Sequence, residues 1–488
     1  MRTPDPTQFI KRLIWLYLIL LIFEGALRKW VLPGLSNPLL IIRDPVVVLI
    51  YFMYMKNFQT KPGAWIFNLI LLAVFSFFFG LFSDKSNLMV TLYGLRVNYL
   101  HIPLIFIMGN ILTRDDVYKI GKFILLLTVP MTLLMILQFY APYTHFINKK
   151  PGGISGFSVA GALGRFRPPG TFSFISGPAA FYPLATAFLI NIVIHKKPVK
   201  LAFIVATAGA IIIAVPISIS RLFALTVATV VAAGAFSIYH LPGLSKILSR
   251  VMVISCIILV GLNFLPAFSE GMETFGTRWQ ESTGDAQGGV QTAIVARFFK
   301  TLTEPFELLP QIPLIGYGIG LGSNVGAKLT TGKVGFTLGE YEWTRTMSEL
   351  GPILGMGFIL YRVVLTFFVF AAAYSALKRG NSLPILIFSA VALLLLNGQW
   401  APPTILGFSI MGAGLALGAC NSPTESAMQK TKRRRLASRV LAMSDIRPRP
   451  GGNRPVKRPA PQRPIPTPKQ KRPAPGNHNP MRPKEETP

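Results

Sequence analysis

Long apolar runs separated by short polar breaks dominate the first 420 positions of the chain. The stretches LIWLYLILLIF, WIFNLILLAVFSFFFGLF and VMVISCIILVGLNFL are typical, and most such runs extend to the roughly 20 residues that cross a bilayer as a helix. Backbone groups inside lipid must be hydrogen-bonded within their own segment, which favours helices over lone strands. The pattern therefore predicts an all-α, polytopic transmembrane helical bundle. About twelve candidate spans lie near 10–24, 38–55, 64–82, 92–112, 122–141, 175–194, 199–219, 222–239, 250–268, 346–373, 382–400 and 404–420.

The overall composition agrees with membrane insertion. Of 488 residues, 51% are hydrophobic and 14% are charged, which excludes a soluble protein with an ordinary polar surface. No small-residue cleavage site follows the first apolar run, so we expect this run to remain as a span rather than to be removed as a signal peptide. Residues 1–420 are therefore predicted to form the transmembrane domain.

The positions of lysine and arginine predict the orientation of the bundle. If the start of the chain is cytoplasmic, the basic clusters that follow every second candidate span all fall on the cytoplasmic side. Both termini are then cytoplasmic. The long segments 142–174 and 269–345 lie on the opposite face.

The formal charge of +30 is partly concentrated at the C-terminal end. Residues 421–488 contain 17 Lys/Arg and 4 Asp/Glu in a low-complexity, proline-rich sequence that cannot bury a core and is predicted to be disordered. We interpret this cytoplasmic tail as a polybasic anchor on membrane lipids, or as a docking arm for an acidic or proline-recognising partner. Nucleic-acid binding is not expected, because no aromatic residues are interleaved with the charge.

Cysteine and histidine do not predict a cofactor or a metal. Cys256 and Cys420 lie in or at the end of apolar spans, where neither can pair across a long loop. The five histidines are scattered without the spacing of metal ligands. We therefore expect no disulfide, no metal site and no cofactor.

Arginines on the face opposite the cytoplasm need an explanation other than topology. Arg165 and Arg167 lie in GRFRPPGTFSFISGP, Arg221 follows a short turn in PISISRLFALTV, and the large loop closes with Arg345. Guanidinium groups suit two-point binding of phosphate or carboxylate oxygens. Arg221 lies between two apolar runs without an acidic neighbour, so a distant carboxylate or an anionic ligand must compensate it. Two further arginines are interpreted as solvated residues or partners of nearby acids: Arg278 and Arg297.

Proline and glycine positions in these loops predict local geometry. Pro168 and Pro169 hold the backbone extended and Gly170 permits a close turn, so Arg167 is presented on a stiff support. The stretch PLIGYGIGLGSN, 313–324, predicts close backbone packing or a tight turn. It is not interpreted as a nucleotide site, because no alternation of strands and helices surrounds it.

Charged residues gather immediately before the tenth candidate span, in TLGEYEWTRTMSELG. Ionised groups at a membrane boundary must find partners or water, so such a cluster suggests a functional site. Glu349 lies four residues after Arg345 and is expected to pair with it on one helix face. Glu340 and Glu342 precede the predicted helix, and one of them is the candidate base that activates an acceptor.

The order of these features resembles the O-antigen ligase and polymerase superfamily of bacterial inner-membrane proteins. The resemblance rests on the span number, on RPPGTF before one span, on SR opening another, and on PLIGYGIG followed by SELGPILG, and it covers most of 90–420 in layout. It implies a metal-independent glycosyltransferase. Such an enzyme takes a glycan from a polyprenyl-pyrophosphate carrier on the periplasmic face and passes it to a lipid or glycan acceptor.

The resemblance also implies roles for particular residues. The family's outer-face arginines hold the donor pyrophosphate, which here implies Arg167 and Arg221, and beside them Arg165 and Arg345. Ligases of the family typically carry a histidine near the end of the large loop, but GEYEWTRTMSELG contains none. The carboxylates before the tenth span are then expected to take its role, and polymerase or exopolysaccharide variants stay open beside a ligase.

A secondary transporter or flippase of a polar or anionic solute is the main alternative. Charged residues within spans, such as Arg43 with Asp44, Arg96 and Arg362, also occur along substrate pathways. The long loop at 269–345 and the lack of evident internal repeats favour the transferase, and a non-catalytic assembly scaffold is a third interpretation.

Overall fold

The computed structural model describes most of the chain up to residue 421. The described residues up to 421 belong to one compact unit. The predicted tail from residue 422 onward, Glu340, Arg297 and most of the ninth candidate span lie outside the described residues. The described ranges are 5–58, 63–154, 160–195, 198–240, 256, 260–262, 264–281, 299–332, 338–339 and 341–421.

The described residues are helical apart from turns and one isolated bridge between Ala160 and Phe166, so the all-α prediction is confirmed for them. Residues 299–307 are also helical. The named helices are α1 (Pro6–Ala26), α2 (Asp44–Asn57), α3 (Ala64–Leu81), α4 (Leu88–Leu95), α5 (Pro103–Ile111), α6 (Arg114–Tyr140), α7 (Ser176–Ile194), α8 (Leu201–Ile217), α9 (Arg221–His240), α10 (Pro266–Glu281), α11 (Asn324–Thr331), α12 (Glu342–Lys378), α13 (Leu383–Leu396) and α14 (Pro403–Ala419).

Seven helical segments in the described part of the chain are long and apolar enough to cross a membrane. They contain α2, α3, α4 with α5, α6, α7, α9 and α12, while α8, α13 and α14 are shorter apolar helices. These helices identify a membrane protein. The number of twelve spans and the sidedness of the loops stay predictions.

Helix α7 lies in the middle of the bundle. Within this helix, 89% of an 18-residue apolar stretch is buried, because the helix packs against α6, α9 and α13 and is apolar on every side. Small residues let α14 approach its neighbours closely: a Cβ on Gly412 would lie 2.9 Å from Val391 Cγ2, and one on Gly414 would lie 2.8 Å from Met108 Cβ. These contacts place α14 between α13 and α5.

Two short π-helical segments interrupt the regular helices. The first, Leu27–Val31, continues α1, and the second, Arg96–Leu100, continues α4. Each carries basic side chains, namely Arg28 and Lys29 in the first and Arg96 in the second. Wider helical turns of this kind are frequent at functional sites.

Helix α12 begins earlier than the sequence predicts and is interrupted. It starts at Glu342, so Glu342 and Arg345 belong to its first turns instead of preceding it. Gly351 leaves the helical conformation at φ 78° and ψ 171°. The glycine-rich stretch packs against this break, where the amides of Tyr317 and Gly318 donate to the carbonyls of Ser348 and Glu349 at 2.8 and 3.1 Å. The predicted close backbone packing of 313–324 is confirmed.

Candidate functional site

Three chain segments meet beside the start of α9. The loop before α7 contacts the α8–α9 turn, where a Cβ on Gly161 would lie 2.8 Å from Ile219 Cδ1. Helix α10 packs on the end of α8, where a Cβ on Gly271 would lie 3.3 Å from Ile217 Cδ1. Thr274 and Arg278 follow Gly271 at helical spacing on the same stripe of α10. This stripe therefore directs Arg278 toward the meeting point.

Three arginines share this meeting point. Burial lowers the pKa of Arg167, and the nearby positive charges of Arg278 and Arg221 lower it further. The Nε of Arg167 is buried and has no hydrogen-bond partner in the part of the chain that the structure describes. Arg221 and Arg278 are thus close enough to Arg167 for their charges to act on it, and an anion bound among the three would be stabilised by all of them. The predicted role of Arg167 and Arg221 in holding a donor pyrophosphate stays a prediction.

The α8–α9 turn adds a second source of positive potential. The hydroxyl of Ser220 accepts from the amide of Phe223 at 3.4 Å and caps α9, whose N-terminal dipole favours negative charge. Ile219 lies fully buried at φ 47°, in the left-handed region that a β-branched residue rarely adopts. Such backbone strain concentrates at functional sites.

The RPPGTF loop is held rigidly behind Arg167. Lys29 Nζ donates to the carbonyls of Gly170 and Phe172 at 2.7 and 2.8 Å, and Gln138 Oε1 accepts from the amide of Gly170 at 2.7 Å. Gly170 adopts φ +60°, as the predicted close turn requires. Burial lowers the pKa of Lys29 to about 7 from an ordinary 10.5, and a neutral amine can still donate both hydrogen bonds. The predicted stiff support for Arg167 is confirmed.

Arg165 lies beside this site with partners of its own. Its Nη2 is 3.1 Å from Glu270 Oε2, and its guanidinium lies over the rings of Phe139 and Tyr140 at 4.8 and 5.2 Å from their centroids. These contacts fasten the loop to α10 at a partly exposed rim. The structure thus gives Arg165 a positioning geometry, and its predicted contact with donor pyrophosphate stays a prediction.

Arg345 and Glu342 belong to a different, buried network. Arg345 bonds Glu342 at 2.9 and 3.0 Å and Asn98 at 3.0 Å, and it lies 2.6 Å from Glu349. The predicted pairing of Arg345 with Glu349 is confirmed. Arg362 Nη1 reaches Glu342 Oε1 at 2.7 Å, and the amide of Gly322 donates to Glu349 at 2.8 Å. Two arginines and two glutamates therefore balance one another inside the bundle.

This network contains Glu342, one of the two candidate bases. The side chain of Glu342 is fully buried, and both oxygens accept hydrogen bonds from arginines. Glu340 lies outside the described residues. Their assignment as acceptor-activating bases stays a prediction, as does the contact of Arg345 with donor phosphate.

Arg278 is the residue that sequence analysis interpreted as an ordinary loop residue. A long loop over 269–345, as the sequence predicts, does not contain the helix face that Arg278 shares with Gly271 and Thr274 on α10. An amphipathic period over Pro266–Glu281 was the available signal. In the described part of the chain, no group of three His, Cys, Asp or Glu side chains could hold a metal ion.

No protein-family model matches this chain, and no curated protein matches it significantly.

Proposed function

We propose that this chain is a membrane glycosyltransferase that transfers or polymerises a glycan from a polyprenyl-pyrophosphate carrier, as in O-antigen or exopolysaccharide assembly. The observation that carries the proposal is the grouping of Arg167, Arg221 and Arg278 beside the N-terminus of α9. Three separate elements hold like charges together there. A pyrophosphate compensates several cations at once, and arginine forks suit its oxygens.

In the proposed reaction, the protein stabilises developing charge and accepts a proton. The acceptor hydroxyl oxygen attacks the anomeric carbon of the donor glycan, and the bond from this carbon to the carrier's pyrophosphate breaks. Arg167 and Arg221 neutralise the charge that develops on the departing pyrophosphate. Glu340 is the proposed base that takes the hydroxyl proton. Glu342 is the second candidate for this role, because its carboxylate is already occupied by hydrogen bonds from arginines.

The proposed reaction takes place at the periplasmic face of a bacterial inner membrane. The bundle lies in a bacterial inner membrane with both termini cytoplasmic and with 142–174 and 269–345 periplasmic. The lipid-linked donor and the lipid or glycan acceptor then approach from the periplasmic leaflet. The basic tail at 421–488 lies across the membrane, where it binds lipids or a cytoplasmic partner.

The direct test is glycan transfer by the purified full-length chain in liposomes that contain lipid-linked glycan and acceptor. We expect Arg167→Ala and Arg221→Ala each to reduce transfer roughly tenfold or more, since each removes a charge-assisted contact to the pyrophosphate. The matched control is Arg379→Ala, because Arg379 is an exposed arginine after the end of α12. Transfer at the wild-type rate by both site variants, at equal protein levels, would refute the proposal.

A transporter or flippase is the second candidate, favoured by ion pairs buried among the helices, such as Arg43 with Glu24. The same liposomes separate the two. A flippase moves lipid-linked glycan between leaflets without a covalent product, whereas a transferase yields extended or acceptor-linked glycan. Movement of the lipid-linked glycan without a covalent product would support the transporter and contradict the transferase.

A further inference from the structure

A second group of charges is buried around the two π-helical segments, away from Arg167. Asp44 accepts from Arg96 Nε and Nη2 at 2.6 and 3.1 Å and lies 3.1 Å from His101 Nε2. Glu24 lies 3.5 Å from Arg28 and 3.3 Å from Arg43. Both acids are therefore already paired.

Basic groups exceed acidic ones in this cluster. Three arginines, Arg28, Arg43 and Arg96, surround the two carboxylates, and Lys29 adjoins them. Arg43 is further engaged by Tyr17 Oη at 3.2 Å and by the carbonyl of Pro403. Among the described residues, three guanidinium groups therefore face two carboxylates, and one positive charge of the cluster is left without an acidic partner.

Arg96 has a donor to spare. Its side chain is 10% exposed, and its Nη1 is buried without a hydrogen-bond partner among the described residues. Tyr93 lies beside it, with the guanidinium 5.4 Å from the ring centroid, and interacts electrostatically with Arg28 and Arg96. No hydrogen bond of the Tyr93 hydroxyl is found in the described part of the chain. The buried Nη1 of Arg96, a donor without an acceptor, costs free energy unless a ligand supplies an oxygen.

The connection from α1 to α2 borders this cluster and carries exposed apolar side chains. Val31, Leu32, Leu35 and Ile41 are exposed, and Trp30 Nε1 donates to the carbonyl of Phe146 at 3.2 Å. Apolar side chains next to an interfacial tryptophan are typical of a segment at the membrane surface. Lipid acyl chains can therefore contact this connection while a headgroup reaches the basic residues.

We infer that Arg28, Tyr93 and Arg96 form a second anion site, which takes a phosphate group carried by a lipid. The inference goes beyond the proposed function, because it holds whether or not the chain transfers a glycan. The two sites adjoin through one loop, since Arg28 Nη1 donates to Ser173 Oγ at 3.2 Å, six residues after Arg167. A lipid phosphate on Arg28 therefore binds next to the loop that presents Arg167.

Binding to the purified full-length chain in dodecyl maltoside tests the inference with three probes. Dioctanoyl phosphatidic acid carries phosphate and short acyl chains, dioctanoylglycerol carries the chains alone, and inorganic phosphate carries the anion alone. We expect saturable binding of phosphatidic acid by the wild type. Arg28→Gln should weaken this binding roughly tenfold by removing a charge-assisted contact. Tyr93→Phe should weaken it several-fold while leaving the fold unchanged, since only a hydroxyl without a partner is lost.

The remaining outcomes separate the sources of phosphate. If inorganic phosphate does not displace phosphatidic acid, the ligand is a phosphate carried by a lipid. If inorganic phosphate displaces it at similar concentrations, the anion site is supported with free phosphate as its ligand. Arg167→Gln should retain the binding, because this residue belongs to the neighbouring site. The inference is overturned if dioctanoylglycerol binds equally well, or if neither Arg28→Gln nor Tyr93→Phe weakens binding.

Discussion

The role of Glu342 is interpreted differently once its partners in the fold are known. In the sequence it precedes an apolar run, and its proximity to Arg345 is the only visible restraint. In the fold, Arg362 reaches it from 20 residues further along α12 and lies 3.8 Å from the ring centroid of Trp400. Buried charges of this kind hold a structure together only while every partner is present.

Removal of the Glu342 charge is therefore expected to destabilise the protein. Glu342→Gln leaves two buried arginines short of a partner, which costs about 3 kcal/mol or more. Thermal unfolding of the purified variant in detergent should occur at a clearly lower temperature than that of the wild type. Glu273→Gln on the exposed face of α10 is the matched control and should change the midpoint little. An unchanged midpoint for Glu342→Gln would show that this network does not stabilise the bundle.

At the scale of elements, the hydrophobic pattern predicted most of the helices and few of their interruptions. Candidate spans at 64–82, 175–194 and 222–239 coincide closely with α3, α7 and α9, because long apolar runs indicate where such helices can lie, whereas α6 begins at Arg114, eight residues before its candidate span. The π-helical segments were not predicted. Their wider turns place Arg96 and Lys29 against partners from distant segments, and a local sequence pattern does not show which distant residues those partners are.

The interruption of α12 depends on Gly351, which adopts φ 78°. Gly351→Ala should be destabilising, because alanine at this positive φ and extended ψ costs about 1–3 kcal/mol and its Cβ would also lie 2.7 Å from Gly316 N. Gly357→Ala on the same helix is the matched control, since its Cβ would meet Leu72 Cδ2 at an ordinary 3.4 Å. Unfolding midpoints in detergent measure both. Equal midpoints for the two variants would mean that the break in α12 is not required.

At the scale of the whole molecule, the sequence predicted some members of the candidate site but not their grouping. Arg221 is a candidate because it lies between apolar runs without a neighbouring acid, and Arg167 because Pro168, Pro169 and Gly170 present it on a stiff support. Their proximity to each other and to Arg278 follows from the packing of α10 on α8, which links segments far apart in the chain. The sequence also predicts the pairing of Arg345 with Glu349, and in the fold both Glu342 and Glu349 on its own helix pair with it.

The arrangement of the bundle across the membrane leads to the last prediction. Three candidate membrane-crossing segments, α3, α4 with α5, and α6, separate the end of α2 from the loop after α6. Lys56 and Tyr143, both exposed, should therefore lie on opposite sides of the membrane. Lys29 contacts the backbone at Gly170, so the α1–α2 connection lies on the same side as Tyr143.

Cysteine labelling measures this sidedness directly. In a background with Cys256→Ser and Cys420→Ser, a membrane-impermeant maleimide should label Tyr143→Cys in intact spheroplasts. Lys56→Cys should react only after the membrane is permeabilised, because the basic residues near it favour the cytoplasm. Equal labelling of both positions in permeabilised cells is the control for reactivity. If both positions react in intact spheroplasts, at least one of the three segments does not cross, and the candidate anion sites would no longer have a common outer face.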